Sequence, residues 1–485
     1  PINFRFFLLT SLINCKGKKE AIFTITLLFA CIISRYLSSI FYFEDIDSLR
    51  FALSASNYNI LESRPHFPGY PVYCFLLIFI YNIIGNVGIS FSIIGGISIF
   101  LIAIYCTKII SLYYKKINYF IALIVFINPF MWLMSNRYMP DIFGLSLLIV
   151  GIYFFLRILK FQHKKDYFIL GAVLALLSGV RLSFIPFFIP IVFLFNNKKI
   201  IYLFISGLIF LLIWLIPLIF ITGAEELINL FINDSRGHFY SWGGTVMSSN
   251  VTLDQRLMKV FEFTFVDGFS FWKSERNWIT IINTILIVFY LFHFISDIKK
   301  HNLKSNIQEI KLILICILSY FLWIYFFQNI SYKARHILPF IPIICVILAI
   351  PINRLFHEKI HNKVITLLFI TTHFYITYFL VNQHLTPSAI SQINKTISNE
   401  KNNNIVVVSD GLKNYFWNKS NNKNILFLNK NKIKNSEIKN YINSGCVVYS
   451  SNKIENINCD YEILNFYHNP HVNRLWSHLR IYRYE

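Results

Sequence analysis

Residues 201–221 read IYLFISGLIFLLIWLIPLIFI, a run without a single charge. At about 1.5 Å of rise per residue, roughly 20 such residues cross a hydrocarbon layer about 30 Å thick. Further apolar blocks lie near 20–41, 70–85, 88–113, 117–133, 141–159, 167–195, 279–296, 310–327, 336–353 and 363–381. Of the 485 residues 55% are hydrophobic and only 14% charged, with a mean hydropathy of +0.54. A soluble domain carries about 25% charged residues. The sequence therefore reads as an α-helical polytopic membrane protein. Ala21–Ile40 follows Lys16, Lys18 and Lys19 and reads as the first transmembrane helix. A cleaved signal is the lesser reading, because no small-residue cleavage site follows.

The formal charge is +21. In a soluble protein that would suggest nucleic acid, but here the lysines gather in short loops and in the tail, so no nucleic-acid partner is expected. Short basic connections occur at Lys115-Lys116, Lys164-Lys165, Lys198-Lys199, Lys299-Lys300 and Arg354–Lys363. The positive-inside rule makes them cytoplasmic. The mixed loops 42–69 and 222–278, with 128–141 and 328–335, then lie on the opposite side. Residues 70–113 must cross an odd number of times, which predicts that 70–85 lies in the interface or forms a short broken helix. The alternative, two full crossings there, strands two lysine pairs outside. Residues 167–195 are long for one helix and predict a tight hairpin with Arg181 at its tip. About 11 transmembrane helices result, with the N-terminus inside and the C-terminus outside.

Residues 1–382 thus form a transmembrane domain. Residues 383–485 turn Asn/Lys-rich, with short apolar runs at Ile405–Val408, Ile425–Leu428 and Cys446–Tyr449 and helical stretches at Gly411–Trp417 and Ser436–Ile442. With Tyr461–Tyr467 and Leu479–Tyr484 strand-like, they predict a small α/β extracytoplasmic domain. Of the eight cysteines only Cys446 and Cys459 stand where a disulfide could form.

Ionisable residues near membrane depth are costly, and so point to function. Five groups stand out. Glu44-Asp45-Ile46-Asp47-Ser48 follows the first helix, and its carboxylates suit a general base or a divalent cation. A wetted helix end is an equal alternative. Arg64-Pro65-His66-Phe67-Pro68-Gly69-Tyr70-Pro71 fixes a stiff, non-helical path that displays Arg64 and His66. Asn136-Arg137-Tyr138-Met139-Pro140-Asp141 places Asp141 where it can also serve the helix dipole. Asp234–Thr245 gathers His238 and Trp242 with glycines, a set able to face a sugar or phosphate. Arg181 and Tyr332-Lys333-Ala334-Arg335-His336 supply cations able to neutralise a phosphate leaving group, although Arg335 could simply snorkel. Together these suit a carboxylate that deprotonates an acceptor hydroxyl while cations stabilise a departing lipid phosphate.

The sequence resembles the GT-C superfamily of polytopic glycosyltransferases, close to the protein-mannosyltransferase and aminoarabinose-transferase families (glycosyltransferase family 39-like). The resemblance rests on Asp47-Ser48-Leu49-Arg50-Phe51-Ala52, on Pro65-His66-Phe67-Pro68-Gly69-Tyr70-Pro71, on Pro129 with Asp141, on Gly179-Val180-Arg181, and on Arg335 to Pro339. It covers roughly residues 20–350. It implies Asp47 as catalytic base, with Asp45 as second carboxylate or metal ligand. Ser48 stands where the family's Asp-Glu pair has Glu. Arg64, His66, Arg137, Asp141, Arg181, His238, Trp242, Lys333 and Arg335 are the substrate-binding candidates. Asp45, Asp47 and His238 are the candidate ligands if a divalent metal ion serves as cofactor. The implied donor is a polyprenyl-phosphate sugar, the acceptor a lipid, glycan or protein, and the location a bacterial inner (plasma) membrane among membrane lipids. A transporter or flippase of lipid-linked sugars is the competing function. It would need pseudo-repeated halves and broken midplane helices, and no repeat is visible.

Overall fold

The computed structural model describes residues 18–114, 118–274, 276–300, 307–400, 404–409, 425–430, 433–454, 459–468 and 476–485. Its helices in chain order begin with α1 (Lys18–Leu37), α2 (Ile46–Ser54), α3 (Pro71–Ile84), α4 (Val87–Ser111), α5 (Tyr119–Ile127) and α6 (Pro129–Asn136). Next come α7 (Asp141–Phe161) and α8 (Lys164–Arg181), which runs into a 3-10 arm, Leu182–Leu194. Then follow α9 (Ile200–Thr222), α10 (Ala224–Arg236), α11 (Leu253–Phe261), α12 (Ile279–Lys300), α13 (Ile307–Phe327), α14 (Phe340–Phe356) and α15 (Ile360–Leu385). The tail adds α16 (Ala389–Ser398), α17 (Asn435–Asn443) and five strands, β1 (Ile405–Val408), β2 (Ile425–Leu428), β3 (Val447–Ser450), β4 (Tyr461–Tyr467) and β5 (His478–Tyr484).

Among the described residues eight helical runs are long and apolar enough to cross a membrane, and the bent pair α5–α6 makes a ninth. Contacts fix their directions. The run Lys164–Leu194 is continuous, yet Asn197 Nδ2 is 3.4 Å from Gln162 Oε1 and Lys199 Nζ is 3.0 Å from the Gln162 carbonyl oxygen. Both ends of the run therefore lie at one end of the bundle, and the chain reverses at Arg181, as the hairpin reading expects. Gly144 packs on Arg181 and Gly151 on Phe188, so the 3-10 arm descends alongside α7. Helix α3 behaves differently. Its first turn adjoins the His66 loop, and just past its end a Cβ on Gly88 would sit 2.4 Å from the Ile40 carbonyl oxygen. Both ends of α3 thus stay at one rim, and only α4 crosses between residues 70 and 113. At the far end Lys160 Nζ bonds the Leu112 carbonyl oxygen. Counting the hairpin twice and adding the shorter apolar helix α14 gives the expected eleven or so passes. Lys115-Lys116 lie outside the described residues.

Helices α4 and α7 form the centre, their apolar windows 78% and 83% buried, whereas that of α9 is 11% buried and faces lipid. Close approach at the centre requires glycine: a Cβ on Gly95 would lie 1.7 Å from the Ser135 carbonyl oxygen. Arg35, fully buried in α1, stacks 3.8 Å from the Trp132 ring and donates to the Phe126 carbonyl oxygen, which satisfies a charge that lipid could not.

The tail strands form one mixed sheet in the order β2-β1-β3-β5-β4, with β1 parallel to β2 and β3, and β5 antiparallel to β3 and β4. Alternation sends Ile405 and Val407 to the α16 face and Val406 and Val408 to the α17 face. The expected strands and the Ser436–Ile442 helix are present. Gly411–Trp417 lies outside the described residues. Cys446 and Cys459 are free thiols that pack against the same apolar cluster, so the disulfide is not formed.

Candidate active site

The site forms at the rim where α2, the His66 loop, the start of α7, the tip at Arg181 and the segment after α13 converge. Asp45 caps α2: its Oδ1 accepts from Ser48 N at 2.8 Å, while Ser48 Oγ accepts from the backbone N of both Glu44 and Asp45 at 2.9 Å. The cap places Asp47 in the first turn. Its Oδ2 meets Arg335 Nη2 at 3.1 Å and Lys333 Nζ at 3.5 Å, and its Oδ1 lies 3.8 Å from His66 Nδ1 and 3.9 Å from Arg50 Nη1. Arg335 Nε also reaches Asp141 Oδ1 at 4.0 Å, and that carboxylate pairs with Arg181 Nη2 at 2.9 Å. Arg335 thus bridges the two carboxylates, and both guanidiniums are buried. Arg335 Nε, Arg181 Nε and His66 Nδ1 make no hydrogen bond.

His66 is held by its loop. Gly69 has φ +82° and no room for a Cβ, which would meet Ile60 at 2.3 Å. Tyr70, also left-handed at φ 46°, brings its hydroxyl within 3.1 Å of His66 Nε2. A non-glycine residue in this region is costly and survives where its surroundings fix it.

A scan against protein-family models finds no match, and no curated protein matches the sequence. Solved structures match in fold. ArnT from Cupriavidus metallidurans in the apo state aligns with a TM-score of 0.54 at 8% identity, over 95% of this chain and 97% of that one. The same protein bound to undecaprenyl phosphate aligns at 0.56 and 8%, over 96% and 98%. The chain shares the fold of ArnT. The archaeal oligosaccharyltransferase AglB from Archaeoglobus fulgidus aligns at 0.44 and 11% identity, over 90% of this chain and 70% of that one.

Within this fold Asp47, His66, Lys333, Arg335, Asp141 and Arg181 come together. Arg137 stands beside them, shared between Glu44 Oε2 at 3.0 Å and the Asp45 carboxylate. His238 flanks the cluster, its Nε2 2.8 Å from the Phe327 carbonyl oxygen. Arg64 pairs with Glu62 at 3.1 Å instead. Trp242 is 61% exposed and folds back over Gly237. The metal expectation at Asp45, Asp47 and His238 does not fit. Among the described residues no group of three or more His, Cys, Asp or Glu side chains could hold an ion. Asp45 is taken up by Ser48 and Arg137, Asp47 by cations, and His238 by a carbonyl. The sequence reading passed over Tyr70 and His384. His384 Nε2 bonds Glu44 Oε1 at 2.8 Å across 340 residues, a pairing that no local pattern signals.

The electrostatics follow from crowding. Burial pushes the Asp47 carboxyl upward, but Lys333, His66 and Arg335 outweigh it and hold the group well below its usual range. Neighbouring Arg335 lowers the Lys333 ammonium. Burial, reinforced by these cations, drops His66 to about 4. His336 and His238 are lowered first by burial, as is His468, to about 4.

These four imidazoles are neutral in the fold but would take a proton near pH 6.5 when unfolded. Stability must therefore fall as pH drops from about 6.5 toward 4. The Asp47 contribution is present above its unfolded value, about 3.9, and is lost only below that. Thermal midpoints in detergent should decline between about pH 7 and about pH 5, and less so in His66→Gln. Equal midpoints at the two pH values would contradict this account.

Proposed function

We propose that the protein is a membrane glycosyltransferase that moves a sugar from a polyprenyl-phosphate-linked donor to an acceptor hydroxyl on the non-cytoplasmic side. The observation that carries this reading is the Asp47–Arg335–Asp141–Arg181 cluster at the membrane rim. Asp47 and Asp141 face Arg50, Arg181, Lys333 and Arg335, so the cations outnumber the carboxylates, and an anion completes the balance. The fold adds support: the ArnT structure of matching fold holds undecaprenyl phosphate. The basic connections at the far end support an outside position for this rim under the positive-inside rule.

In the proposed reaction Asp47 accepts the acceptor's hydroxyl proton as that oxygen bonds the anomeric carbon. The bond from that carbon to the phosphate oxygen breaks, and its electron pair leaves with the lipid phosphate. Arg335 and Arg181 neutralise the phosphate as its charge grows. At rest Asp47 is a weak base, because its cations hold it low. A bound phosphate competes for Lys333 and Arg335 and releases that hold, so the base strengthens once donor is present. The four groups are provided by the chain alone, with no step through a metal.

Purified protein in liposomes, supplied with undecaprenyl-phosphate sugar and cell-envelope glycolipid acceptors, tests the reading. Formation of free undecaprenyl phosphate together with a glycosylated acceptor is expected. Movement of intact donor across the bilayer without consumption would replace the transferase with a flippase.

A further inference from the structure

Helix α2, which carries Asp47, straddles two cores. Phe51 and Ala52 enter the membrane core, but Leu49, only 2% exposed, belongs to the core of the tail. There it belongs to one cluster with Ile390, Ile393 and Ile397 of α16 and the sheet residues Ile405 and Val447. A polar chain grips the same segment. His384, at the end of α15, places Nε2 2.8 Å from Glu44 Oε1, and Glu44 Oε2 is 3.0 Å from Arg137 Nε. Arg137 holds the Asp45 carboxylate, and Asp45 caps α2. Tyr42 Oη donates to the His384 carbonyl oxygen and lies 3.2 Å from Nε2 of the tail residue His468. Ser388 Oγ donates to the Phe43 carbonyl oxygen.

These contacts fall on residues 42–49, whereas the Asp47 carboxylate is left to Arg50, His66, Lys333 and Arg335. We infer that the C-terminal domain sets the position of Asp47, with His384 and Leu49 as positioning residues. The inference rests on the transferase reading of Asp47. Its physical basis is that a base must sit within hydrogen-bond reach of its proton, and that a misplacement of about 1 Å can cost about a hundredfold in rate. A nine-residue helix held only from the membrane side has one grip; the tail supplies the second.

The test uses the full chain in liposomes with undecaprenyl-phosphate sugar as donor. His384→Ala should lower kcat about tenfold to a hundredfold and leave the donor KM within about twofold, since His384 touches no donor-binding cation. His384→Gln, whose amide nitrogen can donate to Glu44, should recover most of the loss. In both His384→Ala and Leu49→Ala, amide hydrogen exchange over residues 45–52 should rise by about tenfold. Full kcat in His384→Ala, equal loss in the Gln and Ala variants, or unchanged exchange over 45–52 would overturn the inference. A wild-type protein that transfers nothing would sink the transferase reading alone, and the exchange measurement would still decide whether the tail holds α2.

Discussion

Replacing Asp47 with Asn is expected to reduce sugar transfer by roughly 10²–10⁴-fold while the protein still folds and inserts. The amide keeps the shape of the carboxylate but cannot take the acceptor proton. It also removes the negative charge that competes for Lys333 and Arg335, 3.5 and 3.1 Å away. Undecaprenyl phosphate should therefore bind Asp47→Asn as tightly as wild type, or more tightly. The split between lost turnover and retained affinity separates a base from a donor-binding group. Native mass spectrometry of lipid-loaded protein, paired with product assays, measures both. Full turnover in the variant would remove Asp47 from the chemistry.

The second large effect is expected at Arg335. Its side chain is 7% exposed and reaches two carboxylates. Removing it leaves both buried charges short of a partner, and breaking such a pair costs about 3–5 kcal/mol. Arg335→Ala should thus lose thermal stability and both donor affinity and turnover. Arg335→Lys keeps one charge but not the planar fork that spans Asp47 and Asp141. It should fold, yet fall in kcat/KM by about 10²–10³-fold. A Lys variant with wild-type kcat/KM would show that Arg335 serves as a snorkelling anchor. One of the two carboxylates it joins, Asp141, also pairs with Arg181, so Arg335→Lys and Arg181→Lys should not be additive.

Much of this architecture is legible in the chain because it follows from solvent. Uncharged runs such as 201–221 leave few alternatives in lipid, and the placement of the lysine pairs orders the passes. The reversal at Arg181 and the rim position of α3 follow from the same parity. The site is legible where local constraint is strong. The proline-rich turn at 64–71 and the acidic cluster at 44–47 announce themselves, and both meet at Asp47. What sequence hides is long-range pairing. Leu49 is one apolar residue within the outer loop 42–69, yet it packs in the tail. Glu44 reads as one more rim carboxylate, but it is buried by His384 and Arg137. Arg64 stands out on its stiff proline-rich turn and Trp242 in its glycine-rich segment, and local partners hold both instead. Cys446 and Cys459 drew notice by residue type, and packing explains both.

The most direct test of the account is a density map of the protein loaded with undecaprenyl phosphate. The phosphate should lie against the guanidiniums of Arg335 and Arg181, with the 3.1 Å contact between Arg335 and Asp47 lengthened or broken. A phosphate bound away from these arginines, with that contact intact, would contradict it.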